Sequence, residues 1–178
     1  RALYLLAWLV AGSLPAFAGA VQYRIEPVTG GLDHPWALAF LPGGHLLVTE
    51  RPGRLRVIER SADGRHRLRP EPVSGLPPVM ARGQAGLFDL LLDPGFAQNG
   101  LLYLSFAHGD PSANHLRVLR ARFDGRALHE VTTLFTASPA KTGSQHFGGR
   151  MALLGDGSLV ISVGDGNLDR TDAQRLHT

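Results

Sequence analysis

The stretch Trp36-Ala-Leu-Ala-Phe-Leu-Pro-Gly-Gly-His-Leu-Leu-Val-Thr-Glu50 decides how this chain folds. An apolar run reaches Leu41, a Pro-Gly-Gly turn follows, and a second run rich in β-formers opens at Leu46. Glycine supplies the positive φ that such turns need, and proline pre-shapes the approach. The reading is a β-hairpin. The design returns in Leu87-Phe-Asp-Leu-Leu-Leu-Asp-Pro-Gly-Phe, which leads after a short insertion into Asn99-Gly-Leu-Leu-Tyr-Leu-Ser-Phe106. It returns again in Met151-Ala-Leu-Leu-Gly-Asp-Gly-Ser-Leu-Val-Ile-Ser-Val-Gly164. The second strands start near Leu46, Leu101 and Leu159, a period of 55 to 58 residues.

Between these hairpins, Arg54-Leu-Arg-Val-Ile-Glu and His115-Leu-Arg-Val-Leu-Arg-Ala-Arg-Phe alternate polar and apolar residues. Period-2 alternation predicts half-exposed strands, and Asp124-Gly125 ends the second with a hairpin signal. The apolar strands suit inner positions and the Arg-bearing strands outer, wetter ones. No segment after residue 22 shows a capped helical period. A repeat of about four strands is a propeller blade. The fold class is therefore all-β, a β-propeller with about three four-stranded blades in residues 21–178. Blades need neighbours to bury their faces, so the chain is expected to be incomplete at its C-terminal side. A sandwich of similar strand count is the rival.

The bulk numbers agree. Of 178 residues, 44% are hydrophobic and 19% charged, a globular balance, and 22 Gly with 12 Pro suit many turns. With no cysteine there is no disulfide and no thiolate metal site. The net charge of +3 is carried by scattered arginines, and aromatics are only 7%, which argues against a nucleic-acid face. Residues 1–20 read as a secretory signal peptide: Arg1, an apolar run over 2–11, and Ala16-Phe17-Ala18 as a small-x-small cleavage pattern. The run is too short to span a bilayer. Cleavage after Ala18 or Ala20 would deliver the protein to the periplasm or outside.

Chemistry-bearing residues fall where segments enter a blade's first strand. In Asp33-His34-Pro35-Trp36 the proline favours an extended backbone at His34, and Trp36 reads as core. In Met80-Ala-Arg-Gly-Gln-Ala-Gly-Leu87, Gly83 and Gly86 flank Gln84, an amide that both donates and accepts; on the residues alone a turn with a solvated Gln is the favoured reading. In Lys141-Thr-Gly-Ser-Gln-His-Phe-Gly-Gly-Arg-Met151, His146 is a general-base candidate beside Gly148 and Gly149, whose missing side chains would leave room for a ligand. Asp165-Gly-Asn-Leu-Asp-Arg-Thr-Asp spaces acids and amides like a calcium loop. It lacks the Gly and Glu an EF-hand requires, having Arg170 and Leu176 there. A turn or a non-EF calcium site remain open.

Taken in order, His34-Pro35-Trp36-Ala-Leu-Ala-Phe, Gly83-Gln84-Ala-Gly-Leu87 with Asp93-Pro94-Gly-Phe96, Gln145-His146-Phe-Gly-Gly-Arg150, and Gly164-Asp165 leading to Asp172-Ala173-Gln174 resemble the PQQ-dependent soluble aldose sugar dehydrogenases, the glucose/sorbosone dehydrogenase family. The resemblance implies a six-bladed propeller, PQQ and calcium as cofactors, and oxidation of an aldose at its anomeric carbon to the lactone. It implies His146 as the catalytic base and Gln84 as a residue contacting cofactor and substrate. It places the cofactor clamp and calcium ligands in later blades, so this chain alone is expected to be inactive. Some members carry an acid directly before the base, where this chain has Gln145. A calcium-dependent lactonase-type hydrolase and a non-catalytic binding propeller are the other classes in play.

Overall fold

The computed structural model describes residues 23–166. The signal peptide read at residues 1–20 and residues 167–178 of the acidic loop lie outside the described residues. β1 (Pro35–Phe40), β2 (Leu46–Glu50), β3 (Arg54–Arg60) and β4 (His66–Leu68) form a four-stranded sheet in that order. β5 (Leu87–Leu92), β6 (Leu101–Asp110), β7 (Ala113–Phe123) and β8 (Leu128–Thr136) form a second. β9 (Gly148–Leu153) and β10 (Leu159–Val163) pair as a third. Every pairing is antiparallel. The second strands begin at Leu46, Leu101 and Leu159, as the repeat predicts. Among the described residues no helix exceeds the single turn Phe96–Asn99.

The third sheet shows two strands among the described residues. One expectation needs correction: the Arg-bearing strands are not the wet ones. β3 and β7 stand third in their sheets and are largely buried. Arg56 is tolerated inside because its guanidinium lies against the buried Glu50 carboxylate and donates to the carbonyls of Arg69 at 2.9 Å and Pro70 at 3.2 Å. Buried charge needs such partners. The exposed position is the fourth, where β8 is open to solvent along most of its length.

The sheets stack face to face. Leu47, Leu55 and Val57 of the first share one buried cluster with Leu87, Leu102, Leu104, Phe106 and Leu119 of the second. Each such side chain contributes about 1.5–3 kcal/mol on burial. Phe88, Ala107 and Leu116 of the second sheet share another with Phe147, just ahead of β9.

A recurring hydroxyl stitches one sheet to the next. The register between first and second strands slips near the start of β1, β5 and β9, and a bulge of this kind leaves an amide without its ladder partner. Thr49 Oγ1 accepts the Ala37 amide at 2.9 Å and donates to the Phe88 carbonyl of the next sheet at 2.6 Å. Ser105 Oγ accepts the Asp89 amide at 3.0 Å and donates to the Gly149 carbonyl at 2.6 Å. Ser162 Oγ accepts the Arg150 amide at 3.1 Å. The bulges lie at the end where the chemistry-bearing segments enter, so they set how those segments leave the sheets.

Candidate active site

Three entering segments converge at that end, the mouth of the stacked sheets, and hydrogen bonds join them in series. The Arg51 amide donates to the His34 carbonyl at 3.0 Å, and the Leu87 amide donates to the Arg51 carbonyl at 3.0 Å. The Gln84 amide donates to the Ser144 carbonyl at 2.9 Å. Gln84 Oε1 then accepts the His146 amide at 3.0 Å. Below the mouth, the Arg150 guanidinium of β9 lies 4.6 Å from the Trp36 ring of β1 and 2.9 Å from the Asp89 carboxylate of β5. One cation thus braces the first strands of all three sheets. Trp36, Phe88 and Phe147 line up behind it, with ring centroids 5.9 and 5.6 Å apart. Trp36, read from the sequence as core, is only half-buried.

His146 takes φ of 51°, a left-handed conformation that a non-glycine residue rarely holds without a reason. Its carbonyl accepts the Gly166 amide at 3.2 Å, and its Nδ1 lies 2.8 Å from Asp165 Oδ1. A carboxylate only accepts, so Nδ1–H donates and Nε2 is left with its lone pair. The imidazole is 44% exposed, whereas Asp165 is 19% exposed. The ring is thus held by a carboxylate on one side and open to solvent on the other.

The sequence places Asp165 in a turn or calcium loop and puts no acid directly before His146, where Gln145 stands. The structure supplies the acid from across the hairpin. The β9–β10 register pairs Gly148 with Val163. Two further steps along both strands set residue 146 against residue 165. The signal lay in the repeat itself, in extending the third hairpin past its last predicted pair.

The structure brings Gln84 to His146. One side of its amide is used on the His146 backbone, and the NH2 takes no part in that bond. The glycine pair does something other than expected. A Cβ at Gly148 would lie 2.5 Å from the Ser162 carbonyl oxygen, and one at Gly149 would lie 2.9 Å from the Phe88 ring. These glycines admit the close approach of β9 to β10 and to Phe88, rather than clearing space for a ligand.

His34 belongs to a neighbouring charged cluster. It also has positive φ, at 50° rather than the extended backbone expected before Pro35, and its ring is held by Asp33 at 2.5 Å. Asp33 is fixed by its amide on Glu50 Oε1 at 2.7 Å and by Arg54 at 2.9 Å. Hydrogen bonds from His34 first and Arg54 second hold the Asp33 carboxyl below its ordinary range. Among the described residues, no three His, Asp or Glu side chains converge as metal ligands.

Comparison with known proteins bears on the family and the fold. Residues 32–178 match the family model Glucose / Sorbosone dehydrogenase. Aldose sugar dehydrogenase YliI of Escherichia coli (strain K12) is 36% identical over 180 residues, covering 99% of this chain and 47% of that protein. A crystal structure of glucose dehydrogenase superposes with a TM-score of 0.74 at 38% identity, covering 84% of this chain and 43% of that one. The PQQ-bound form of aldose sugar dehydrogenase from Streptomyces coelicolor does so with a TM-score of 0.65 at 31% identity, covering 80% and 41%. The chain spans less than half the length of each of these relatives. With the family model matched over residues 32–178 and the sheet architecture shared, the chain belongs to the glucose/sorbosone dehydrogenase family.

Proposed function

We propose that this protein is a PQQ-dependent aldose dehydrogenase, oxidising the anomeric carbon of a sugar to the lactone with His146 as the base. The observation that carries the reading is the Asp165–His146 contact of 2.8 Å on a half-exposed imidazole at the mouth. Removing hydride from an alcohol carbon requires its hydroxyl proton to leave as well. Nε2 is the group placed to take that proton near neutral pH. Asp165 holds the ring in the tautomer with Nε2 free, and its charge stabilises the imidazolium that forms. Gln84 fixes the His146 backbone and offers its NH2 to an oxygen of sugar or quinone, a positioning role.

PQQ, when bound, supplies the two-electron acceptor for the hydride. The residues here fit the base side of such a site: an oriented imidazole and an amide donor, both exposed and joined by one hydrogen bond. Calcium belongs to the same proposal, with its ligands outside the described residues. So does export, through the signal peptide read at residues 1–20. The test is reconstitution at full family length. Protein with PQQ and calcium should reduce an artificial dye in the presence of an aldose and release the lactone. Lactone hydrolysis without PQQ, or sugar binding with no dye reduction, would overturn the reading in favour of a hydrolase or a binding module.

A further inference from the structure

We propose that Arg51 is a positioning residue for the His146 base, acting through Gly83 and Gln84; this rests on the reading of His146 given above. Arg51 follows directly on β2, in the turn to β3, and touches both neighbouring segments of the mouth. Its backbone takes the His34 carbonyl on one side and the Leu87 amide on the other, each at 3.0 Å. Its guanidinium Nη1 donates to the Gly83 carbonyl at 2.6 Å.

That last bond fixes the peptide just ahead of Gln84. The neighbouring Arg54 and Arg56 both go to the Glu50 carboxylate. Among the described residues Arg51 makes no ion pair of that kind and donates to the peptide carbonyl directly before Gln84. The segment it holds has little room to settle elsewhere. A Cβ at Gly86 would lie 2.3 Å from the Arg51 carbonyl oxygen, and one at Gly83 would lie 2.5 Å from Ser144 Oγ. Residues 83–86 are therefore wedged between Arg51 of the first sheet and Ser144 of the loop that carries His146. Gln84 leaves this wedge with its backbone amide on Ser144 and its side chain on His146. Releasing Arg51 frees the first-sheet side of the wedge, and the slack reaches the base through Gln84. Small misplacements of a reacting group cost rate steeply.

The test is a double-mutant cycle at full family length with PQQ bound. R51M keeps the aliphatic stem and loses the donors, and R51K returns one of them. R51M is expected to lower kcat about tenfold, with PQQ affinity unchanged. R51K should recover much of the loss. In a Q84A background R51M should add little, because contacts in series are not additive. A readout free of turnover is the NMR amide signal of His146, whose hydrogen exchange should quicken in R51M and in Q84A alike. Additive losses in the cycle, or an unchanged His146 amide in R51M, would overturn the proposal. So would a loss in R51M that tracks a fall in Tm and is not recovered by R51K. Retained turnover in a His146 variant would sink the base assignment, while the amide readout would still report on the Arg51 coupling.

Discussion

Replacing Asp165 with Asn tests the proposed base assembly at the residue whose contact with His146 only the structure revealed. The change keeps size and one carbonyl acceptor for Nδ1–H but removes the charge. Asp165 Oδ1 lies 2.8 Å from Nδ1, a charge-assisted bond of ordinary length. Such bonds contribute about 1.5–3 kcal/mol. The imidazole is 44% exposed, so water screens the pair and the lower figure applies. About 1.5 kcal/mol corresponds to roughly a tenfold loss of rate. The loss should fall on kcat, because the carboxylate matters most when the imidazolium forms. The assay is steady-state dye reduction with saturating PQQ, with cofactor occupancy followed by absorbance so that lost binding is not mistaken for lost chemistry. D165N should lie between wild type and H146A, and D165N should add nothing in the H146A background. Turnover of D165N within about twofold of wild type, at equal PQQ occupancy, would refute the orienting role.

Three other outcomes are expected. H146A or H146Q should cut turnover by roughly a hundredfold or more, the usual range for losing a positioned base, and leave PQQ binding largely intact; Q84A should cost less, shared between affinity and rate. S105A removes a fully buried hydroxyl that takes the Asp89 amide and reaches the Gly149 carbonyl. Leaving both groups without a partner should destabilise the protein by about 2 kcal/mol, seen as a fall of roughly 4–8 °C in calorimetric Tm. N-terminal sequencing of protein recovered from the periplasm should begin at Gly19 or Val21, and an intact Leu5 to Val10 stretch there would rule out cleavage.

By itself the sequence determined the sheet pattern and the location of the mouth. Three hairpins with Gly-based turns, spaced by 55 to 58 residues, mark the strand starts at Leu46, Leu101 and Leu159 because turn chemistry and period-2 patterning are local properties. His146 and Gln84 could be singled out as residue types suited to the roles proposed for them. The fourth strands, β4 and β8, were not singled out, since short or solvent-exposed edges carry little patterning. Tertiary structure alone decided the rest. Arg56 is buried although its strand alternates like a wet one, because Glu50 and two carbonyls receive it. Gly148 and Gly149 serve close packing, which depends on what lies opposite them. The acid for His146 comes from Asp165, nineteen positions onward, because antiparallel pairing carries one strand back past the other. Contacts between distant residues are set by register and sheet stacking, and neither is written in any single stretch of chain.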